Sequence, residues 1–143
     1  MKKFLWLVLF VLFAGFIFFN SSLPAETSYK ASGLLAKWLD SLYAAIGDPM
    51  PVDRLEARLR KLAHFLEFAV LAMIMVNTFI SWRVSNRVAS GYILFLGLAV
   101  AVADEYIQLS VPGRTAQVTD IVLDFCGVFI IWLCREIWLW SKK

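Results

Sequence analysis

The stretch ADEYIQLSVPGRTAQVTDIVLDFCG, residues 103–127, places five charged residues between two apolar runs. They are Asp104, Glu105, Arg114, Asp120 and Asp124. Charged side chains this close to membrane-spanning runs are costly unless they are paired, hydrated or coordinating something, so they mark a candidate functional site. The Pro112–Gly113 pair in the middle of the stretch predicts a tight turn between the two runs.

The whole chain has the composition of an integral membrane protein. Of its 143 residues, 61% are hydrophobic and 17% are charged, which leaves too few polar residues to cover a soluble domain of this length. The length indicates one helical domain, residues 1–143, without a separate soluble catalytic domain. No basic block suggests nucleic acid as a partner, and Cys126 and Cys134 lack the spacing of metal-binding cysteines.

Four apolar runs predict an all-α fold with four transmembrane helices. A helix needs about 20 residues to cross the hydrocarbon layer, and the shorter runs reach that length only by including their charged flanks. The predicted spans are residues 4–23, 62–82, 88–108 and 119–139. The first run could also be a cleaved signal peptide, since SSLPA offers small residues for cleavage; its length favours a retained span.

Two helical segments are predicted between the first and second spans. Residues 33–46 carry apolar side chains at helical spacing, and Trp38 and Tyr43 suit an amphipathic helix lying on the membrane surface. Asp53, with a glutamate three residues later, has the pattern of a helix N-cap. No Gly or Pro interrupts residues 54–82, so we predict one long helix whose basic first turns stand above the membrane.

The topology brings the charged residues together. Because consecutive spans alternate in direction, the start of the second span, the end of the third and the start of the fourth lie on one side of the membrane. The candidate catalytic residues on that side are His64, Glu67, Asp104, Glu105, Asp120 and Asp124, and the candidate ligand-binding residues are Arg60, Lys61, Gln108 and Arg114.

The distribution of basic residues predicts the orientation. Lysines and arginines at positions 2, 3, 83, 87, 135, 142 and 143 all lie at the opposite ends of the spans. The positive-inside rule makes that side cytoplasmic. We therefore expect both termini in the cytoplasm and the charged cluster outside, although four basic residues between positions 54 and 61 run against the rule.

The cluster allows several functions. Its basic residues could hold the phosphate of a lipid or lipid-linked headgroup, with His64 and the acids available for proton transfer. The planar guanidinium of Arg114 could bridge two of the nearby acids, or one acid and a phosphate. Alternatively, the cluster could be an ion-pair network that braces the helices of a non-catalytic module acting through an envelope partner.

Two further functions are less well supported by the residues. A proton path needs polar groups along its length, and the apolar stretch FAVLAMIMV, residues 68–76, provides none. One histidine with several carboxylates suits a divalent ion, but no HExxH or repeated-histidine motif is present. The sequence therefore predicts no metal ligands.

RKLAHFLEFAVL (residues 60–71) and residues 104–127 resemble the VanZ-like family of small bacterial membrane proteins. The family's pattern is K-x-x-H-F-x-E-F on one span, then D-E-x-x-Q-x-x-x-P-G-R, and D-x-x-x-D/N-x-x-G on the next. The matching positions are Lys61, His64, Glu67, Phe68, Asp104, Glu105, Gln108, Pro112, Gly113, Arg114, Asp120, Asp124 and Gly127. The resemblance covers roughly residues 58–135, with Val111 where an aromatic residue or Ile is expected.

The resemblance implies a multi-pass protein of the bacterial cell membrane. The family's namesake is associated with teicoplanin resistance and acts at the cell surface. The expected partners are therefore membrane lipids and a lipid-linked envelope precursor or a glycopeptide. Neither the residues nor the resemblance indicates a cofactor, a defined reaction or an oligomeric state.

Overall fold

A computed structural model describes residues 2–24, 40–41 and 52–142. The described residues form four α-helices and no strand: α1, Lys2–Ser22; α2, Val52–Ser81; α3, Asn86–Gln108; and α4, Val118–Trp140. Apart from the start of α2, the helix ends lie within two residues of the predicted spans. The predicted surface helix at residues 33–46 lies outside the described residues, except for Asp40 and Ser41, which are helical.

The long second helix is confirmed. α2 runs for 30 residues without a break, as expected from a sequence with no Gly or Pro between positions 54 and 82. It begins at Val52, so Asp53 is its second residue and not the predicted N-cap.

Three helices are long and apolar enough to cross a membrane: α1, the Arg54–Ser81 part of α2, and α3. α4 is also long enough, with 23 residues or about 35 Å at 1.5 Å per residue. It is not one of the three apolar helices, because it carries four charged residues. They are Asp120, Asp124, Arg135 and Glu136, and each is buried or half-buried in the bundle. The crossing of the membrane by α4 stays a prediction.

α2 and α3 form the middle of the bundle. Each of them packs against the other three helices, whereas α1 and α4 share no close backbone contact within the described residues. α2 presents one face to the core at helical spacing, with Phe68, Leu71, Ala72 and Met75. The other helices complete this core with Ile17, Ile93, Ala101 and Val128.

α2 and α4 approach each other closely at Gly127. A Cβ atom at this position would lie 2.4 Å from the carbonyl oxygen of Phe65 and 3.1 Å from the amide nitrogen of Ala69. Both atoms belong to the backbone of α2, which cannot move aside as a flexible side chain can. Because lipid tails are as apolar as side chains, helices in a bilayer associate by such close packing. Gly127 therefore sets the α2–α4 spacing one turn from Asp124.

The connection between α3 and α4 contains the predicted turn. Gly113 has φ 79°, a left-handed conformation that glycine adopts without steric cost. Two backbone hydrogen bonds, from Val111 to Gln108 and from Arg114 to Val111, fold the connection into consecutive turns. The turn directs Arg114 back toward the helices.

The opposite end of the bundle is basic and aromatic. The indole N–H of Trp82 donates to the backbone carbonyl of Lys3 (3.2 Å), and the Trp82 ring packs edge-on against Phe4. The ammonium of Lys142 lies 3.9 Å from the centre of the Trp138 ring. Trp and Lys at helix ends are typical of the interface between hydrocarbon and water.

The close approach at Gly127 predicts different effects for two glycine-to-alanine changes. We expect Gly127→Ala to destabilise the purified protein by about 1–3 kcal/mol, the usual cost of overpacking. At Gly91 no described atom lies within 4 Å of an added Cβ, and alanine favours a helix by up to about 1 kcal/mol over glycine. Gly91→Ala should therefore be neutral or stabilising. Thermal unfolding in detergent measures both, and equal stability of the two variants would contradict this role for Gly127.

Candidate functional site

The polar ends of α2, α3 and α4 meet, as the alternating topology predicted, around a cavity of about 180 Å³. Eight of the ten predicted site residues line it: Arg60, Lys61, His64, Glu105, Gln108, Arg114, Asp120 and Asp124. Asp104 lies directly behind His64, and Glu67 is directed toward α1. The structure thus brings nine of the ten into one cluster and places the tenth, Glu67, at its edge.

At the inner end of the cavity, His64 of α2 and Asp124 of α4 line the wall, and Asp104 of α3 lies directly behind His64. His64 Nδ1 lies 3.8 Å from Asp104 Oδ2 and 4.0 Å from Asp124 Oδ2. Asp104 is fully buried and Asp124 is 1% exposed. Three helices therefore each contribute one ionisable side chain to a single point inside the bundle.

The two buried aspartates differ in their partners. Asp104 Oδ2 accepts a hydrogen bond of 2.9 Å from the side-chain amide of Gln108, one turn further along α3. Neither carboxylate oxygen of Asp124 has a hydrogen-bond donor within the described residues. A buried carboxylate in that situation is stable only if it takes up a proton or binds a cation.

Two acids nearer the surface bind protein groups. Asp120 forms a salt bridge with Lys61. Glu105 Oε2 accepts a 2.9 Å hydrogen bond from the backbone N–H of Gln117, the residue that precedes α4. Backbone N–H groups at the start of a helix lack partners within the helix and favour negative charge. Glu105 of α3 therefore anchors the beginning of α4.

Arg114 ties the α3–α4 connection to α1. Its Nε donates to the carbonyl oxygen of Leu23 (3.0 Å) and its Nη2 to that of Asn20 (3.1 Å). The sequence predicts that this guanidinium bridges two nearby acids, or one acid and a phosphate; the hydrogen bonds from Nε and Nη2 go to carbonyl oxygens of the α1 segment. The carbonyls at the end of α1 attract it because they lack partners within the helix and carry the negative end of the helix dipole. Desolvation, with repulsion from Arg60, lowers the pKa of Arg114, but a guanidinium stays protonated.

α1 contributes residues that the sequence analysis did not include in the site. The side-chain amide of Asn20 donates to Glu67 Oε1 (3.3 Å), which holds Glu67 against α1. Ser21 is fully buried, and its hydroxyl lies beside Asp104. The available signal was the polar triplet NSS at the end of a long uncharged run; without a charge, it gave no reason to assign a function.

The cavity has a basic outer part and a buried acidic floor. The side chain of Lys61 is 43% exposed, whereas that of His64 is 17% exposed and that of Asp104 is fully buried. Along α4, Asp124 lies about 6 Å deeper than Asp120, at 1.5 Å per residue. An anion entering the cavity would meet Lys61, Arg60 and Arg114 first, and His64 with the two aspartates last.

Comparisons with known proteins agree with the resemblance of the motifs. The family model described as VanZ/LLP1 matches residues 4–139. The matched range reaches all four helices, whereas the motif-based resemblance covered roughly residues 58–135, so α1 lies within the part of the chain that the family model matches. No curated protein and no solved structure matches the chain.

The contacts of Arg114 predict that lysine cannot replace it. Lysine keeps the charge but lacks the planar fork that reaches two carbonyl oxygens. We expect Arg114→Lys to destabilise the protein nearly as much as Arg114→Ala, by about 1.5–3 kcal/mol, the range for hydrogen bonds that involve a charged group. Arg58 is exposed on the first turns of α2, so Arg58→Lys is the control and should leave thermal unfolding unchanged. If Arg114→Lys matched the wild type, charge alone would explain the role of Arg114.

Proposed function

This chain belongs to the VanZ/LLP1 family, and from that premise we propose that it is a cell-envelope membrane protein that binds an anionic headgroup. The headgroup is that of a membrane lipid or a lipid-linked glycan in the outer leaflet. The observation that carries the proposal is the cavity at the polar end of the bundle, with Arg60, Lys61 and Arg114 in its lining. Arginine and lysine are the side chains that bind phosphate.

The size of the cavity supports a headgroup as the ligand. Its volume is about 180 Å³, below the roughly 300–1,000 Å³ of pockets that hold drug-sized molecules. A phosphate group with a small substituent fits such a space, whereas a whole lipid does not. The acyl chains would remain outside, against apolar helix surfaces such as Phe95, Val102 and Tyr106 of α3, which are exposed.

The proposed orientation places the cavity on the outer side of the membrane. The opposite end of the bundle carries Lys3, Arg87 and Arg135, and basic residues favour the cytoplasmic side. Both termini are then cytoplasmic. A headgroup-binding cavity facing outward has access to the outer leaflet, where lipid-linked envelope precursors are used.

The orientation predicts the accessibility of two serines in opposite connections. Ser110 and Ser85 are both exposed, and each would be changed singly to cysteine in a chain with Cys126 and Cys134 replaced by serine. An impermeant maleimide should label Ser110→Cys in intact cells and Ser85→Cys only after lysis. Labelling after lysis controls for reactivity, and the reverse pattern in intact cells would reject the orientation without affecting the geometry of the cluster.

The contacts within the cluster favour a second candidate function. The Lys61–Asp120 salt bridge, the Glu105–Gln117 hydrogen bond and the bonds from Arg114 to α1 all link different parts of the bundle. These links support a non-catalytic module whose cluster braces the helices and which acts through an envelope partner. In that case the cavity needs no ligand.

Substitutions in the Lys61–Asp120 salt bridge distinguish headgroup binding from the bracing function. Lys61→Met leaves Asp120 as an extra negative charge, so an anionic headgroup should bind at least several-fold more weakly. Asp120→Asn frees Lys61, so the same headgroup should bind equally or more tightly. We would measure binding of short-chain phosphatidylglycerol to the detergent-purified protein by calorimetry, with phosphatidylcholine of the same chain length as the neutral control.

The bracing function makes a different prediction for the same pair. Each substitution breaks the same salt bridge, so both should lower thermal stability by a similar amount, with no opposite effects on lipid binding. Absence of any preference for phosphatidylglycerol over phosphatidylcholine in the wild type would reject headgroup binding by charge. Lys61→Met and Asp120→Asn break the same salt bridge, so each variant is the control for the other.

Headgroup binding also accounts for the resistance associated with the family's namesake. Glycopeptides of the teicoplanin type act on envelope precursors at the outer surface. A membrane protein that holds the headgroup of such a precursor would change the amount that an antibiotic can reach. We include altered glycopeptide susceptibility in the proposed function on this basis.

A further inference from the structure

We propose that His64, Asp104 and Asp124 bind one divalent transition-metal ion, Zn²⁺ or Mn²⁺, at the floor of the cavity. The sequence contains no metal-binding motif because the three ligands come from three different helices. Each offers one ligand atom, and these atoms all lie within 4.8 Å of one another. The proposal goes beyond headgroup binding and does not depend on it.

The spacing of the three side chains suits a single ion. Two ligand atoms that each lie about 2.1 Å from one ion are at most about 4.2 Å apart. His64 Nδ1 lies within this limit of both partners, at 3.8 Å from Asp104 Oδ2 and 4.0 Å from Asp124 Oδ2. All three ligand atoms lie within 4.8 Å of one another, so binding one ion requires side-chain rotations that bring them to about 3.4 Å, the separation of ligands in a tetrahedral site.

An independent observation comes from Asp124. This residue is 1% exposed, and neither of its carboxylate oxygens has a hydrogen-bond donor within the described residues. Its carboxylate lines the cavity and faces His64. The Asp124 carboxylate therefore still needs a proton or a cation as its partner. The imidazole of His64 and the carboxylate of Asp104 converge on the same point, where a cation would contact all three.

The charges of the neighbouring acids point to a divalent cation. Asp120 is paired with Lys61, Glu105 accepts from the Gln117 N–H, and Glu67 accepts from Asn20. Asp104 and Asp124 are the two acids next to His64 that form no salt bridge to a lysine or arginine within the described residues. With a neutral imidazole they supply two negative charges, which one divalent ion balances.

The types of ligand narrow the choice of metal. A mixed imidazole and carboxylate set suits Zn²⁺ or Mn²⁺ better than Ca²⁺ or Mg²⁺, which prefer oxygen ligands alone. Three protein ligands leave at least one coordination position open toward the cavity. Gln108 donates a hydrogen bond to Asp104 and would hold the Asp104 carboxylate in position to bind the metal, without binding the metal itself.

The decisive experiment measures metal binding by the purified full-length protein without added lipid. His64 is the single histidine of the chain, so the affinity tag must contain no histidine. Cys126 and Cys134 are replaced by serine to exclude thiol ligands. After chelator treatment, ZnCl₂ and MnCl₂ are titrated separately by calorimetry, and we expect one ion per chain for at least one of them.

Variants on one helix assign the site. Asp124→Asn should weaken the binding of that ion by at least about tenfold, since loss of a partner outside the ligand shell already costs 10–100-fold. Glu136→Gln is the matched control on α4; its carboxylate binds Ser90 and Arg135 at the other end of the bundle, and the affinity should not change. Unaltered affinity of Asp124→Asn, or no stoichiometric binding by the wild type, would overturn the proposal.

X-ray absorption of the wild-type protein loaded with Zn²⁺ or Mn²⁺ provides a test that does not depend on the folding of any variant. We expect scattering from one imidazole and from oxygen ligands. A spectrum without imidazole would overturn the proposal, because every imidazole contribution must come from His64. Failure of phosphatidylglycerol to bind would reject the proposed headgroup function and leave this result standing.

Discussion

The cost of placing carboxylates near lipid governs the arrangement of this protein. An acid that faces hydrocarbon needs a partner, and the end of one helix cannot supply enough of them. The bundle provides partners from different segments: Lys61 of α2 for Asp120, the N–H of Gln117 just before α4 for Glu105, Gln108 of α3 for Asp104, and Asn20 of α1 for Glu67. Assembly of the four helices therefore also neutralises or hydrogen-bonds most of the acids at their polar ends, whereas Asp124 keeps no donor within the described residues.

Two kinds of packing support this neutralisation. In the middle of the bundle, Gly127 allows α4 to lie against the backbone of α2, which brings Asp124 within reach of His64. At the polar end, Arg114 joins the α3–α4 connection to α1, although α1 and α4 share no close backbone contact within the described residues. The apolar core determines the distances between the helices, and the polar contacts determine how their ends are aligned.

The helices and most of the cluster could be predicted from the sequence, because hydrophobic runs and alternating direction follow from the thickness of the bilayer. The contacts of individual side chains could not. The sequence suggested two acids, or one acid and a phosphate, as partners of Arg114, but gave no sign that it also binds carbonyl groups of Asn20 and Leu23, about 90 positions away along the chain. The involvement of Ser21 was missed for the same reason: pairing between distant segments depends on helix rotation, which hydropathy does not specify.

The α3–α4 connection has a further consequence for how the family can vary. Connecting segments usually tolerate inserted and deleted residues. This one is held at Gln117, whose N–H donates to Glu105 of α3, at Gly113 by a left-handed turn, and at Arg114 by the end of α1. An added or lost residue would break at least one of these attachments. The length of this segment is therefore constrained, together with the residues at positions 113 and 114.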